Sequence, residues 1–183
     1  MGATRTKYGL FLSQSKYIED IITQADMLQA KSLHTPVSAG SSLSKHNGDP
    51  LSDSFLCRSI VGALQYLTLT RPELAFVVNR ACQFMQNLTS SHWGAVKRIL
   101  QYLRHTPRHG IFLRTNSQFT LVAYSDADWT RCPDDRRLTI GFCIFLGDNL
   151  ISWNSKKQQV VSRSSTESEY CALAYTTAVL CWI

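Results

Sequence analysis

The chain changes period at Gly110, and that change limits what it can fold into. Before it, apolar residues recur at helical spacing. Ile18, Ile21, Ile22 and Ala25 form one stripe. Ile60, Val61, Leu64 and Leu67 form a second, Leu74, Val77, Val78, Ala81, Cys82 and Met85 a third, and Val96, Ile99, Leu100 and Leu103 a fourth. After Gly110 come short apolar runs bounded by turn residues, as strands are. The expected class is mixed α/β: a small helical module, then a three-stranded sheet with one helix.

Tyr8–Leu12 reads as a short strand with no evident partner before it. Ser13 or Ser15 caps a helix expected over Lys16–Leu28. Residues 35–53 are rich in Ser, Gly, Asn and Pro and read as a linker. Helices are expected over Phe55–Leu69, from Pro72 to about Asn87, and from a cap at Thr89, Ser90 or Ser91 to Gly110. Strands follow at Ile111–Leu113, Phe119–Asp126 and Gly141–Leu146, the last apolar throughout as if covered on both faces. Gly147-Asp-Asn149 turns the chain back into Leu150–Asn154. Ser164 or Ser165 caps a final helix, Thr166–Ile183. The divisions are therefore 1–34 (strand and helix), 35–53 (linker), 54–110 (helical module) and 111–183 (sheet and helix).

A net charge of +6 over 183 residues makes a polyanionic partner plausible, and the excess is local. Eleven Lys and Arg face five acids between Lys97 and Arg163, while the remainder is balanced. The six cysteines contain no Cys-x-x-Cys pair, which argues against a zinc ribbon or redox dithiol. Cys57, Cys82 and Cys143 sit in apolar runs as reduced, buried thiols would. No signal peptide or stretch of membrane-spanning length is apparent, so an intracellular protein is expected. Met1-Gly2-Ala-Thr-Arg-Thr6 fits the loose myristoylation pattern, which most chains matching it share by chance.

The residues suited to chemistry are acids. The run Phe119–Tyr124 stops on Asp126 and Asp128, and the last helix opens with Glu167 and Glu169. A strand end and a helix start can bring such carboxylates to one sheet edge, where Mg²⁺ would support phosphoryl transfer. The plain alternative is a set of turn and helix-dipole residues. Glu167 and Glu169 are about 200° apart on a helix, so only one can face the sheet. Tyr170, Leu173 and Ala174 mark the expected apolar face, which Glu169 adjoins better. Trp93, Trp129, Trp153 and Trp182 read as core anchors.

Several stretches together resemble one family. Tyr124-Ser-Asp-Ala-Asp-Trp129, Asp135-Arg-Arg137, Gly141-Phe-Cys143, Ile151-Ser-Trp153, Lys156-Lys-Gln158 and Ser162-Arg-Ser-Ser-Thr-Glu-Ser-Glu-Tyr170 look like the ribonuclease H region of Ty1/copia-type retrotransposon Pol polyproteins. Upstream, Gly9-Leu-Phe-Leu-Ser-Gln14, Arg58-Ser-Ile-Val-Gly-Ala-Leu-Gln-Tyr-Leu67, Thr70-Arg-Pro72 and His92-Trp93 with Lys97–Arg104 resemble the C-terminal part of that family's reverse transcriptase. The motifs run in collinear order from Tyr8, a layout similar to short plant organellar and nuclear reading frames derived from these elements.

The resemblance implies that 1–34 ends a polymerase palm or thumb, 54–110 is a thumb- or connection-like module, and 111–183 is part of a ribonuclease H fold. It implies Mg²⁺ as cofactor and an RNA–DNA hybrid as partner. Asp126 would be the strand-one metal ligand and Glu169 the helix ligand, with Asp128 a turn residue and Glu167 a solvated first-turn acid. Lys97, Arg98, Arg104, Arg108 and Arg114 would track phosphates. It also implies a cytoplasmic, nuclear or organellar setting.

Thr130-Arg131 and Ile140 depart from the family's usual small residues. The polymerase Tyr-x-Asp-Asp signature is absent, and the third ribonuclease H aspartate would lie beyond Ile183. The expectation is a catalytically inactive fragment with an unpaired sheet edge. The alternatives are a hybrid-binding module, or a ribonuclease H completed by sequence beyond Ile183.

Overall fold

The computed structural model describes every residue except 39, 41, 42, 116, 117, 130–133, 136 and 160. Thr130, Arg131 and Arg136, singled out above by sequence, and Cys132 lie outside the described residues. The described chain is mixed α/β, with five α-helices and two three-stranded sheets. Contacts divide it into two compact units, Met1–Thr4 with Phe11–Ile111, and Arg5–Leu10 with Phe112–Ile183.

One sheet has the order β1 (Gly2–Thr6), β2 (Gly9–Ser13), β3 (Gly110–Arg114). The strand at Tyr8–Leu12 was expected to lack an earlier partner, and β1 corrects that. All five β1 residues are exposed, so it buries no face and leaves no apolar alternation to read.

The first unit's helices pack by their apolar stripes. In α1 (Ser15–Gln24), Ile18, Ile21 and Ile22 are buried. The helix ends short of the expected Leu28 because Asp26 takes φ +53°, a left-handed conformation that aspartate tolerates at helix ends. In α2 (Phe55–Leu67), Cys57, Ile60, Val61, Leu64 and Leu67 face inward. The helix expected from Pro72 splits into a 3₁₀ turn, Pro72–Leu74, and α3 (Ala75–Cys82). With Val96, Ile99, Leu100 and Leu103 of α4 (Ser90–His105), these side chains form one continuous core. Each such residue contributes about 1.5–3 kcal/mol by leaving water.

A buried arginine, 1% exposed, joins this core to the helix breaks. Arg71 donates through Nε to Glu73 (2.5 Å) and through both terminal nitrogens to Thr106, at the carbonyl (2.9 Å) and the hydroxyl (2.7 Å). Thr106 caps the C-terminus of α4, so Arg71 satisfies carbonyl and hydroxyl groups that a helix end leaves open. Next to it, the Thr70 hydroxyl donates to buried Gln14 at 2.6 Å. The Thr70-Arg71-Pro72 motif is thus a structural joint.

Within the stretch read as a linker, residues 47–51 are fastened to the chain at the start of α4. The Thr89 hydroxyl donates to the Asn47 carbonyl at 2.6 Å, Ser90 N–H to the Asp49 carbonyl at 2.8 Å, and Leu51 N–H to the Leu88 carbonyl at 3.1 Å. Gly48, at φ +85°, lies so close to Ser90 and Ser91 that a Cβ would meet their hydroxyls at 2.7 Å. At this same helix start, His92 replaces the usual Glu of a capping box, its Nδ1 accepting the Thr89 N–H at 3.1 Å.

In the second unit, β4 (Leu121–Asp128), β5 (Thr139–Leu146) and β6 (Asn149–Lys157) form an antiparallel meander in that order. Gly147 at φ +56° makes the β5–β6 turn where Gly147-Asp-Asn149 predicted it. The apolar run of β5 was expected to be covered on both faces, but burial alternates along it. Ile140, Phe142 and Ile144 are buried, while their neighbours are only half-buried. One helix, α5 (Ser165–Leu180), packs on β4 and β5 and closes the face that bears Ile140, Phe142 and Ile144.

Candidate functional site

The acid-bearing stretches are the end of β4 and the start of α5. Ala127 packs with Leu138, Ile140 and Ala172, and Tyr175 of α5 meets the ring of Phe142 at 6.0 Å. The covered face of the sheet is therefore the one bearing Ala127 and Ile140. Strand alternation then places Asp126, across from Gly141, and Asp128, across from Thr139, on the opposite face. Gly141 carries no side chain, so nothing at that register of β5 covers the Asp126 carboxylate.

Among the described residues, a hydrogen bond links the two stretches. The indole N–H of Trp129, one residue past β4, donates to the buried Ser162 carbonyl at 3.0 Å. Ser162 leads into the cap of α5, where the Ser164 hydroxyl accepts the Glu167 N–H at 3.1 Å. The Glu167 carboxylate in turn accepts the Arg163 N–H at 2.7 Å. Glu167 is thus consumed in a reciprocal helix cap.

The four acids sort into two kinds. Asp126 and Glu169 are exposed and, among the described residues, have no hydrogen-bond or ion-pair partner. Asp128 is half-buried and is not free, and Glu167 is capped. The helix face differs from the expected one. Ser168, Ala172 and Thr176 are buried, whereas Tyr170 and Leu173 are exposed. Small residues four apart let a helix approach a sheet closely but carry no apolar signal. Glu169, next to Ser168 in the chain, sits on the flank of that buried face. Asp135 is held by Lys157 at 2.7 Å and by Arg137 at 3.5 Å, so it braces the loop before β5.

Carboxylate oxygens are the hard donors that Mg²⁺ takes, and Asp126 and Glu169 offer two carboxylates. Among the described residues, no three of His, Cys, Asp and Glu come close enough to hold an ion. The residues present do not by themselves build a two-metal site.

The basic residues lie apart from this corner in the chain. Lys97 is exposed and rests over the Trp93 ring, 5.5 Å from its centroid. Arg98 is half-buried and donates to Thr35 at 2.9 Å, which fixes it against the 35–53 stretch. Arg104 is half-buried, Arg108 exposed, and Arg114 exposed with Asp148 at 3.7 Å. Of the tryptophans, Trp93 and Trp153 are half-buried, but Trp129 is exposed and Trp182 is 91% exposed, so neither of these is a core anchor. No helix of the described residues is long and apolar enough to cross a membrane.

Known proteins match the chain along nearly its whole length. It is 48% identical over 181 residues, 99% of the chain, to the retrovirus-related Pol polyprotein from transposon RE2 of Arabidopsis thaliana. It spans 12% of that polyprotein. The corresponding polyprotein from transposon TNT 1-94 of Nicotiana tabacum is 35% identical over 98% of the chain, which spans 14% of it. An uncharacterized mitochondrial protein of Arabidopsis thaliana is 49% identical over 95% of the chain, which covers 72% of that protein. No protein-family model and no solved structure matches the chain.

Proposed function

The chain belongs to the Pol polyprotein family of Ty1/copia-type retrotransposons, and from that premise we propose that it is the segment joining the end of the reverse transcriptase to the start of the ribonuclease H. In this reading 54–110 is the thumb- or connection-like module and 111–183 the partial ribonuclease H domain. The partner is an RNA–DNA hybrid.

The observation that carries this is the Trp129–Ser162 bond. It unites the strand that ends on Asp126 with the helix start that bears Glu169. Those are the two acids left without partners, while Asp128 and Glu167 are engaged. In this reading Asp126 and Glu169 are two ligands of a Mg²⁺ site whose remaining ligands they do not supply. The bound ions would activate water and stabilise the leaving oxygen. Asp126 stands on the sheet face away from α5, and the described residues form no group of three metal-binding side chains, so in this reading the chain's described residues supply an incomplete site. Its own contribution is contact with the phosphate backbone through Lys97, Arg104, Arg108 and Arg114, with Arg98 largely committed to Thr35.

The test is incubation of the purified chain with an end-labelled RNA–DNA hybrid and Mg²⁺. The expected result is salt-sensitive binding without cleavage. Cleavage that disappears in Asp126→Asn would overturn the inactivity, and absence of binding even at low salt would remove the hybrid as partner.

A further inference from the structure

From two exposed histidines we infer a binding site for a late first-row divalent ion, Cu²⁺ or Ni²⁺, on the first unit. His34 Nδ1 and His105 Nε2 lie 2.9 Å apart although 71 residues separate them. His105 is the last residue of α4, and His34 lies in the segment after α1. The placement is fixed on both sides of His34. Leu33 N–H donates to the Gln101 carbonyl at 3.2 Å, and Arg98 donates to Thr35 at 2.9 Å.

Imidazole nitrogens bind such ions at about 2.0–2.1 Å, so two of them at neighbouring corners of a square-planar or octahedral ion lie about 2.9 Å apart. The observed spacing is that spacing. Intrinsic affinity places Cu²⁺ at the head of the first-row divalent series, with Ni²⁺ just below it. One ring now donates an N–H to the other. On binding, that proton moves to the same ring's second nitrogen, so both rings stay neutral and both lone pairs reach the ion. The rings are exposed and nearly perpendicular, at 78°, which leaves room for the small rotations required. Water fills the other positions, since no third His, Cys, Asp or Glu stands close among the described residues. The ion would clip the segment after α1 onto α4. Imidazole pairs do not select hard Mg²⁺, so this site is independent of Asp126 and Glu169.

The experiment is calorimetric titration of untagged protein with Cu²⁺ and Ni²⁺ in a non-coordinating buffer. It compares the parent with His34→Ala, His105→Gln and the exposed control His46→Ala. Losing one of two chelating ligands is expected to weaken binding roughly tenfold to a hundredfold, with the control unchanged. Electron paramagnetic resonance of the Cu²⁺ form should show two nitrogen ligands in the parent and one in either variant. Ni²⁺ at a concentration that fills the parent's site should raise the melting temperature of the parent and of His46→Ala but much less that of His34→Ala or His105→Gln, and excess Mg²⁺ should not compete. Equal affinity in parent and variants, or a one-nitrogen spectrum in the parent, overturns the site.

Discussion

Trp129 and Ser162 are joined by a hydrogen bond of 3.0 Å from the indole N–H to a backbone carbonyl, and Ser162 is buried. The bond spans the whole β5–β6 hairpin in sequence and holds the end of β4 against the segment that starts α5. Trp129→Phe keeps the ring's apolar bulk but removes the donor to the carbonyl of Ser162. The cost should be about 1–3 kcal/mol, read as a lower urea midpoint at unchanged slope. A midpoint equal to that of the parent would show that the ring's packing alone ties the two stretches.

Arg71 predicts a sharper effect. Its charge is buried and balanced by Glu73, and its planar fork reaches two oxygens of Thr106. Arg71→Ala removes the cation, leaves Glu73 and the Thr106 oxygens short of donors, and should cost about 3–5 kcal/mol. Arg71→Lys restores the charge but not the fork, so it should recover only part of that. Urea denaturation of the two variants separates the contributions.

These residues show what sequence could and could not disclose. The stripes of α1, α2 and α4 and the β5–β6 turn were legible because burial there is apolar and periodic. The strand β1 was not, because its stability comes from backbone pairing and all its side chains face water. Nor was the inner face of α5, built from Ser168, Ala172 and Thr176, because close approach selects small residues rather than oily ones. Arg71 stood out in the sequence only as part of the Thr70-Arg-Pro72 motif; nothing local marks an arginine for burial. At the candidate site the acids were legible as a set. Their division into free and engaged depended on Ser164 and Arg163 backbone contacts that no spacing rule specifies.

The cap of α5 gives a third prediction. Ser164→Ala removes an acceptor for the Glu167 N–H and should cost about 1 kcal/mol. Glu167→Gln keeps an acceptor for the Arg163 N–H but loses the charge at the helix start, for about 0.3–1 kcal/mol. Because the two residues form one reciprocal cap, the double variant should cost less than the sum. Additive midpoints in a double-mutant cycle would mean that they act separately.

Cys57 links stability to pH. Burial pushes its thiol up from 9.0 to about 11, against the weaker opposing pull of Arg58, and burial raises Cys82 and Cys143 in the same direction. The folded chain keeps the Cys57 proton while the unfolded chain releases it, so this contribution is full below pH 9.0 and is lost as pH rises through about 11. Between pH 8 and 10.5 the loss from Cys57 should be on the order of 2 kcal/mol. Cys57→Ala lowers stability at every pH by leaving a cavity, yet should flatten this part of the slope. Urea midpoints of parent and variant across that range test it, and parallel slopes would refute the assignment.

Asp126 and Glu169 invert the usual expectation for a mutation. Both are exposed and, among the described residues, unpartnered, so Asp126→Asn and Glu169→Gln should change stability by less than about 0.5 kcal/mol. Their energetic effect should appear only when a polyanion approaches. Without Mg²⁺, each carboxylate repels the phosphates of a hybrid lying against this corner, so neutralising either should strengthen binding modestly at low salt. That gain should fade as salt is raised, since screening removes the repulsion. Lys97→Ala or Arg108→Ala should act oppositely, weakening binding and making the salt dependence shallower by about one counterion each. Fluorescence anisotropy with a labelled hybrid across a salt series reads both signs. If the carboxylate variants leave binding unchanged in the absence of metal, the phosphates do not pass this corner, and Asp126 and Glu169 are not where the proposed function places them.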